Sequence, residues 1–469
     1  MNRNNFLIHI ALAIVLILVA AFAGQLRRWQ QEYKHRVRIL PAEEKTRKAV
    51  TTVELGENET HTLTAPEVLV KFKPGVSEST IRAITERFHD RVEDSIEAVP
   101  GLDAIDDLDD ADAVQTAAAY QALPEVEYAE PNYEISIDDF ESNPVTPSDP
   151  RFSDQWALAN DGQRGGTRGA DISATTAWSV TTGDDDVVIA VLDSGVDYTH
   201  SDLEHNIWQR PDNVPEYFDD STGPIQDLQG YNAVMNNADP MDENGHGTHC
   251  AGIIGAEGGN DIGITGVNWK VRIMPLKFMN RGGFGTTKDA IEAINYVIDR
   301  KNNGVNVRVI SASWGSTNRS QALGDVIKKA GEAGILFVAA AGNASTDNDR
   351  HPHYPSSYDL PNVISVAALD RNDQLASFSN WGAKHVAIAA PGVEILSTWL
   401  GDEYKESSGT SMATPVVAGV AALIVAKEPR ISVEELRKRI VTSVDKLDSL
   451  KSKVTSGGRI NAAKALGAH

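Results

Sequence analysis

The sequence predicts an α/β protein in which a parallel sheet, covered by helices on both faces, follows a small α+β domain. The main observation is a series of apolar runs rich in Val, Ile and Ala that alternate with helical stretches. Runs of this kind are typical of strands buried on both faces of a parallel sheet. The length of 469 residues leaves room for two or three domains. The six predicted strands are Val187–Leu192, Val271–Leu276, Val307–Ser311, Ile335–Ala340, Val363–Ala367 and Val386–Ala389.

The N-terminus carries an apolar segment over residues 6–23, interrupted only by His9. The preceding Arg3 and the Ala-x-Ala ending at Ala23 are typical of a secretory signal peptide, but the segment also reaches the lower limit for a membrane span. Several basic residues follow between Arg27 and Arg38, which the positive-inside rule would keep in the cytoplasm. Residues 1–24 are therefore predicted as either a cleaved signal or a retained anchor. We expect a secreted or extracytoplasmic protein, with a membrane-anchored form as the alternative.

Residues 66–137 show the order strand, helix, strand, strand, helix, strand, which predicts a small split βαβ domain. Ser77 is expected to cap the first helix, which ends near Phe88. Residues 25–65 lack periodicity and are predicted to be a polar linker. An acidic, proline-containing linker is expected over residues 138–148, and the parallel-sheet domain over residues 149–469.

Composition narrows the function. The net charge of −23 argues against nucleic acid as a partner, because the phosphates would be repelled. Cys250 is the single cysteine, so no intramolecular disulfide is expected. We expect Cys250 to be a buried structural thiol. We also expect the protein to be a monomer.

A small-residue turn, Gly409-Thr410-Ser411, precedes an almost wholly apolar stretch that predicts a buried helix. Ser411 should lie near the helix N-terminus, where free N–H groups favour negative charge. Pro415 is expected in the first turn, where its missing N–H costs nothing. An isolated serine at this place is more often a helix cap than a nucleophile.

Two further residues support a nucleophilic role for Ser411. Asp193 follows the strand Val187–Leu192, at the strand end where reactive groups of parallel sheets lie, although a turn-forming Asp is the alternative. His246 lies between two glycines at the start of a small-residue helix. His246 and His249 lack the glutamate of a zinc motif, so His249 is interpreted as a packed core residue.

Three segments, Val191–Asp197, Gly245–Gly252 and Gly409–Pro415, resemble the catalytic signatures of the subtilisin-like serine proteases, in the chain order Asp, His, Ser. The thermitase-like branch is the most similar, over residues 149 to 466. The resemblance implies a subtilisin-like three-layer fold and an Asp193–His246–Ser411 triad. It also implies that Asn343 donates to the oxyanion. The domain over residues 66–137 resembles an inhibitor-type propeptide with the order βαββαβ, which would inhibit its own protease domain.

The same resemblance implies how polypeptide substrates bind. The substrate would pair as an added strand with two edges. Both aromatic residues in these edges could instead be packing residues. Asp347 and Asp349, near the pocket, would favour basic substrate side chains, with exposed loop carboxylates as the alternative. The edge and pocket residues are Gly283, Phe284, Gly285, Ser313, Trp314, Gly315 and Gly342.

A structural calcium site is implied by resemblance to the thermitase-like branch, with no catalytic metal. Carboxylate and carbonyl oxygens suit this hard cation. A second site around Asp239 and Asp242 is a weaker suggestion. The expected ligands are Asp149, Asp202, Asn260 and the carbonyls of Glu257, Ile262 and Ile264.

The predicted function is a serine endopeptidase made as a self-processing precursor. The alternative is a catalytically silent peptide-binding or chaperone-like pseudoprotease. Loss of casein hydrolysis in Ser411→Ala would distinguish them.

Overall fold

The structure is a computed structural model that describes residues 51–54, 60–108, 112–133 and 144–468. The chain divides into two compact units, Met1–Asp138 and Asp139–His469. The signal or anchor predicted over residues 1–24 lies outside the described residues.

The first unit is an antiparallel sheet with two helices. Strand β2 pairs with β1, β4 and β5, and β3 pairs with β4. Ser77 caps α1 by accepting a hydrogen bond from the Thr80 N–H, as predicted. Val68, Phe72 and Tyr120 form part of its buried core. The elements are β1 (Thr51–Glu54), β2 (Thr60–Phe72), α1 (Glu78–Phe88), β3 (Asp90–Ser95), β4 (Leu102–Asp107), α2 (Ala113–Gln121) and β5 (Val126–Tyr133).

The prediction of an irregular linker over residues 25–65 is wrong for its last part. Thr51–Glu54 pairs with the start of β2, from Leu63 to Thr60. These segments are rich in threonine, whose β-branched side chain favours strands, but they lack a clear alternation of apolar and polar residues. The two segments are therefore strands because their backbones pair with each other, although their sequences lack the periodicity that predicts a strand.

The second unit is built on a nine-stranded sheet whose neighbouring strands are parallel, except for the antiparallel pair β17–β18. Each of the six predicted strands has an observed counterpart, and four of them lie wholly within β6, β10, β11 and β13. The predicted strand Ile335–Ala340 begins one residue before β12, and the predicted Val386–Ala389 begins two residues before β14 and shares only Ile388 and Ala389 with it. The strand order is β17-β18-β14-β13-β12-β11-β6-β10-β9. The strands are β6 (Gly183–Asp193), β7 (Tyr217–Asp219), β8 (Gly223–Ile225), β9 (Tyr231–Asn232), β10 (Lys270–Lys277), β11 (Val307–Ala312), β12 (Leu336–Ala340), β13 (Val363–Leu369), β14 (Ile388–Pro391), β15 (Ile395–Trp399), β16 (Glu403–Ser407), β17 (Val444–Lys446) and β18 (Gly458–Ile460).

Helices cover both faces of this sheet, as predicted. Along β6, Ile189 and Val191 pack into one apolar core, whereas Ala190 and Leu192 pack into a second core on the opposite face. Alternate side chains of a strand point to opposite faces, so both cores are buried by helices. The helices are α3 (Ala174–Ala177), α4 (His246–Gly255), α5 (Thr287–Asn302), α6 (Gln321–Glu332), α7 (Thr410–Lys427), α8 (Val433–Thr442) and α9 (Ala462–Leu466).

Helix α7 runs through the first core. Within the described residues it is the one helix long and apolar enough to cross a membrane, but 83 % of that stretch is buried inside the protein. The prediction that Pro415 lies in the first turn is wrong, because α7 begins at Thr410 and Pro415 lies inside it. The small residues before Pro415 are already helical, which moves the helix start closer to Ser411.

Candidate active site

Asp193 and His246 meet at the carboxyl end of β6. The Nδ1 atom of His246 lies 2.7 Å from Oδ1 of Asp193, and the same oxygen accepts the Ser194 N–H at 2.8 Å. Burial disfavours the imidazolium, but the Asp193 charge and hydrogen bond outweigh it, so the pKa of His246 is raised above its ordinary value. The His246 side chain keeps 33 % of its surface exposed, whereas Asp193 is buried. The imidazole is thus held by a buried carboxylate and remains accessible.

Glycines allow α4 to approach β6 this closely. A Cβ atom at Gly247 would lie 2.0 Å from the carbonyl oxygen of Gly195. Gly245 precedes the helix with a φ of +98°, and a side chain there would meet the ring of Trp399 at 2.5 Å. The helix is also capped from Asp242, which accepts hydrogen bonds from the N–H and hydroxyl of Thr248. Small residues around His246 therefore set its distance from Asp193.

Ser411 is the second residue of α7 and lies next to the end of β11. Its hydroxyl donates to the Ser313 carbonyl at 3.0 Å, and the Ser313 hydroxyl donates to the Ser411 carbonyl at 2.8 Å. Pro415 has no N–H to donate to this carbonyl four residues earlier, so the carbonyl is available to Ser313. The serine is thereby held by hydrogen bonds from outside its own helix.

Cys250 lies between the two halves of the site. Its Sγ atom is 3.6 Å from the Ser411 carbonyl oxygen and lies within 4.8 Å of the ligand atoms of Asp193 and His246. The cysteine is fully buried, as predicted, and burial raises the pKa of its thiol well above the ordinary value. Such a thiol stays protonated, which agrees with a structural role.

In the described part of the chain, the hydroxyl of Ser411 makes its hydrogen bond to Ser313 and not to His246. The structure thus brings Asp193, His246 and Ser411 to one end of the sheet and joins the first two directly. His249 is fully buried, with Nε2 2.9 Å from the Lys405 carbonyl oxygen, which confirms its interpretation as a core residue. Burial lowers the pKa of His249 to about 4.

Asn343 follows β12 and is exposed beside the start of α7. Its Oδ1 accepts hydrogen bonds from the N–H and the hydroxyl of Thr410, both at 2.9 Å. These two donors fix the orientation of the amide. The Nδ2 group has no hydrogen-bond partner among the residues that the structure describes, so it is a free donor near Ser411.

The predicted substrate edges differ in exposure. Phe284 is 76 % exposed, in a loop where Gly285 bridges to Met279. Trp314 is half-buried; it donates to the Leu192 carbonyl at 3.0 Å, and its ring centroid lies 4.8 Å from that of Phe278. Trp314 therefore packs against the domain, whereas Phe284 is free to meet a ligand.

Near the predicted pocket, Asp347 and Asp349 are engaged by the protein itself. The Asp349 carboxylate lies 2.9 Å from Nδ1 of His385 and accepts backbone N–H groups of Lys384 and His385. Asp347 accepts the Asp349 N–H. These contacts favour the interpretation of loop carboxylates.

The residues expected to bind calcium gather around two buried carboxylates. Asp202 is fully buried and accepts hydrogen bonds from Asn260 Nδ2, the Ile264 N–H and the Tyr404 hydroxyl. Asp149 accepts the Gly259 N–H at 2.6 Å, while its buried Oδ1 has no partner in the described part of the molecule. Burial raises the pKa of both carboxyls.

Three further oxygens there are unused. Among the described residues, the carbonyls of Glu257, Ile262 and Ile264 accept no hydrogen bond. The Glu257 carboxylate faces His205 instead, 2.8 Å from its Nδ1. An orphaned buried carboxylate oxygen, together with free carbonyls on the loop whose Gly259 N–H binds the same carboxylate, fits a calcium ion. At the second suggested site, both Asp242 oxygens accept N–H groups, of Asn244 and Thr248, and cap α4.

Some participants were not predicted. Ser313 was assigned to the substrate edge, but its hydroxyl also holds Ser411. Tyr404 contacts Asp202 across 202 residues of sequence. Neither contact leaves a signal in local spacing.

The comparisons with known proteins agree with this architecture. A model of the subtilase family matches residues 184–461, and a model of the fervidolysin N-terminal prodomain matches residues 51–132. The second match begins at β1, in agreement with the corrected start of the first unit.

Relatives extend over most of the chain. A thermophilic serine proteinase of Bacillus sp. (strain AK1) is 36 % identical over 406 residues, which cover 85 % of this chain and 87 % of the relative. Thermitase of Thermoactinomyces vulgaris is 36 % identical over 321 residues, covering 68 % of this chain and 99 % of thermitase. A protease structure from Pseudoalteromonas arctica has a TM-score of 0.57 at 28 % identity and covers 69 % of this chain and 99 % of that one. The chain therefore belongs to the subtilase family: it is a subtilisin-like serine endopeptidase with an N-terminal prodomain.

Proposed function

We propose that the chain hydrolyses peptide bonds through an acyl-enzyme formed on Ser411. The observation that carries this proposal is the 2.7 Å contact between His246 Nδ1 and Asp193 Oδ1. It leaves Nε2 of the neutral imidazole unprotonated and able to accept the Ser411 proton. A serine hydroxyl needs such a base because it is a weak nucleophile near neutral pH.

In the first half-reaction, Ser411 Oγ bonds to the substrate carbonyl carbon as its proton moves to His246. The carbon–nitrogen bond then breaks, and His246 returns the proton to the leaving amine. In the second half-reaction a water attacks the ester, again losing a proton to His246, and the carboxylic acid leaves as Ser411 regains its proton. Asp193 stays ionised and stabilises the imidazolium in both halves.

The Ser411 hydroxyl must first turn from the Ser313 carbonyl toward His246. This would occur by rotation about the Cα–Cβ bond of Ser411, and catalytic hydrogen bonds are often formed only in the substrate complex. The Ser411 carbonyl stays bound to the Ser313 hydroxyl during this movement. The backbone is thus held while the nucleophile turns.

Asn343 and the backbone N–H of Ser411 would stabilise the oxyanion. The free Nδ2 of Asn343 is a donor whose orientation is already set by Thr410. A preorganised donor pays no reorganisation energy when charge develops on the carbonyl oxygen. The substrate main chain would pair with the segments around Gly283–Gly285 and Ser313–Gly315.

We infer that calcium binds to the side chains of Asp149, Asp202 and Asn260. The remaining ligands would be the backbone carbonyls of Glu257, Ile262 and Ile264. The ion would neutralise two buried carboxylates and supply a partner for the orphaned Asp149 oxygen. Its role would be structural, since it joins the start of the domain to the loop after α4.

The prodomain is proposed to inhibit the protease until the precursor cleaves itself between Ile137 and Asp149. Val145 already belongs to the second unit, because its N–H donates to the Thr175 carbonyl at 2.9 Å. A cut before Val145 would preserve this pairing. Secretion, with a monomeric mature form, is the proposed location and state; a retained N-terminal anchor is the alternative.

The test compares wild type with Ser411→Ala, each expressed as the full precursor. The wild type should hydrolyse casein and lose its prodomain, whereas the variant should do neither. N-terminal sequencing of the mature form locates the cut. Casein hydrolysis by Ser411→Ala equal to that of wild type would refute the mechanism, and an inactive but correctly folded wild type would favour the peptide-binding alternative.

A further inference from the structure

The imidazole of His353 lies between the two loops that flank Ser411. A Cβ atom at Gly315 would lie 2.1 Å from Cε1 of His353, and one at Gly342 would lie 3.1 Å from Cδ2. Gly315 follows β11 and Gly342 follows β12, and these strands are neighbours in the sheet. One imidazole ring therefore spans the gap between the two loops.

This gap is adjacent to the reacting atoms. The loop after β11 includes Ser313, whose carbonyl accepts the Ser411 hydroxyl, and the loop after β12 includes Asn343, which is hydrogen-bonded to Thr410. A substrate held with its carbonyl between Ser411 and Asn343, and paired along Ser313–Gly315, must direct the side chain preceding the cut bond into this gap. His353 occupies the space that a long side chain would need.

The ring is held in place. Its Nδ1 is 3.4 Å from the Ser356 hydroxyl, which itself donates to the His353 carbonyl at 2.7 Å, and the His353 N–H donates to the Ser357 hydroxyl at 3.1 Å. Ser356 is buried. These contacts restrict the rotation of the His353 side chain, so the imidazole ring stays in the gap.

We propose that His353 closes the floor of the pocket for the residue preceding the cut bond, so that the protease selects short side chains there and excludes large aromatic ones. The proposal rests on the proposed function, because it assigns specificity to that same site. The preferred substrates are polypeptides with Gly, Ala or Ser at this position. Differences of pocket size change the relative kcat/KM of two substrates by roughly 10–200-fold.

The test measures kcat/KM for two matched peptides that differ only in Ala or Phe before the cut bond. Wild type should prefer Ala. His353→Gly should raise the Phe/Ala ratio by about tenfold or more, and His353→Ala by a smaller factor, because each removes the ring from the gap. His351→Gly is the matched control: it alters an exposed histidine of the same loop and should leave the ratio unchanged.

Melting temperatures of all variants identify any that fail to fold, and the two substitutions at His353 give independent readings. A ratio that changes less than about twofold in a folded His353 variant overturns the proposal, as does a wild type that prefers Phe. If Ser411→Ala still hydrolyses both peptides, the proposed function is refuted. This outcome differs from failure of the specificity proposal, because it shows that hydrolysis does not depend on Ser411.

Discussion

Ser313 and Ser411 exchange hydrogen bonds: each hydroxyl donates to the carbonyl of the other residue, at 2.8 Å and 3.0 Å. The exchange is available because Pro415 cannot donate to the Ser411 carbonyl within the helix. It joins the end of β11 to the first turn of α7 and so fixes the backbone from which the nucleophile projects.

Ser313→Ala should therefore lower stability and activity together. Loss of the donor to a buried carbonyl is expected to cost about 1–2 kcal/mol of unfolding free energy, and kcat should fall by about tenfold as Ser411 loses its support. Ser311→Ala is the control, since this hydroxyl lies on β11 two residues before Ser313 and is buried without a partner in the described residues, so its loss should be neutral or stabilising. Thermal melting and kcat are the measurements; equal effects of both variants would contradict the role of Ser313.

The acid limb of the activity profile should lie above pH 6.5, the ordinary pKa of histidine. His246 must be neutral to accept a proton, and its pKa is raised, so activity falls as the pH drops through that raised value. Asp193→Asn removes the charge that raises it: the limb should move to lower pH, and kcat should fall by roughly 10⁴. The shift of the acid limb and the fall in kcat are measured from the pH profiles of kcat/KM and kcat. An acid limb that does not move in Asp193→Asn would exclude Asp193 as the cause of the raised His246 pKa.

Asn343→Ala should lower kcat with little effect on KM, because the amide acts on the oxyanion and not on the bound substrate. A loss of roughly 10²–10³ is the size found for one such donor in subtilisin. Thr410→Val removes one of the two donors that orient the amide and should cost less than Asn343→Ala. Steady-state kinetics on one peptide rank the variants; a Thr410→Val loss larger than that of Asn343→Ala would show that Thr410 acts elsewhere.

Complete removal of divalent cations should lower the melting temperature, and added calcium should restore it. A ligand at 100 times its Kd adds about 2.7 kcal/mol to unfolding free energy. Because the pKa of Asp149 and Asp202 is raised, protons should displace calcium at a higher pH than from ordinary carboxylates. Asp149→Asn should abolish the calcium response, whereas the exposed Asp212→Asn should retain it. A melting temperature insensitive to chelation in wild type counts against the site.

Much of the fold could be predicted because its signals are local. The apolar runs of the parallel sheet and the glycines around His246 can be read within a few residues of each other. The strand Thr51–Glu54 was missed because it is defined by its partner across the sheet and not by its own periodicity.

The sequence by itself determined the chemical groups of the site: a carboxylate, an imidazole and a hydroxyl, each following or opening a predicted element. Only the tertiary structure decided which groups surround them. Ser313 and Ser411 are 98 residues apart and Asp202 and Tyr404 are 202 apart, and His353 reaches two glycines on different loops. The contacts of Ser313 and His353 arise where strand ends converge at one edge of the sheet, whereas the contact of Asp202 with Tyr404 joins a loop to the separate two-stranded sheet β15–β16. Neither arrangement can be read from local spacing along the chain.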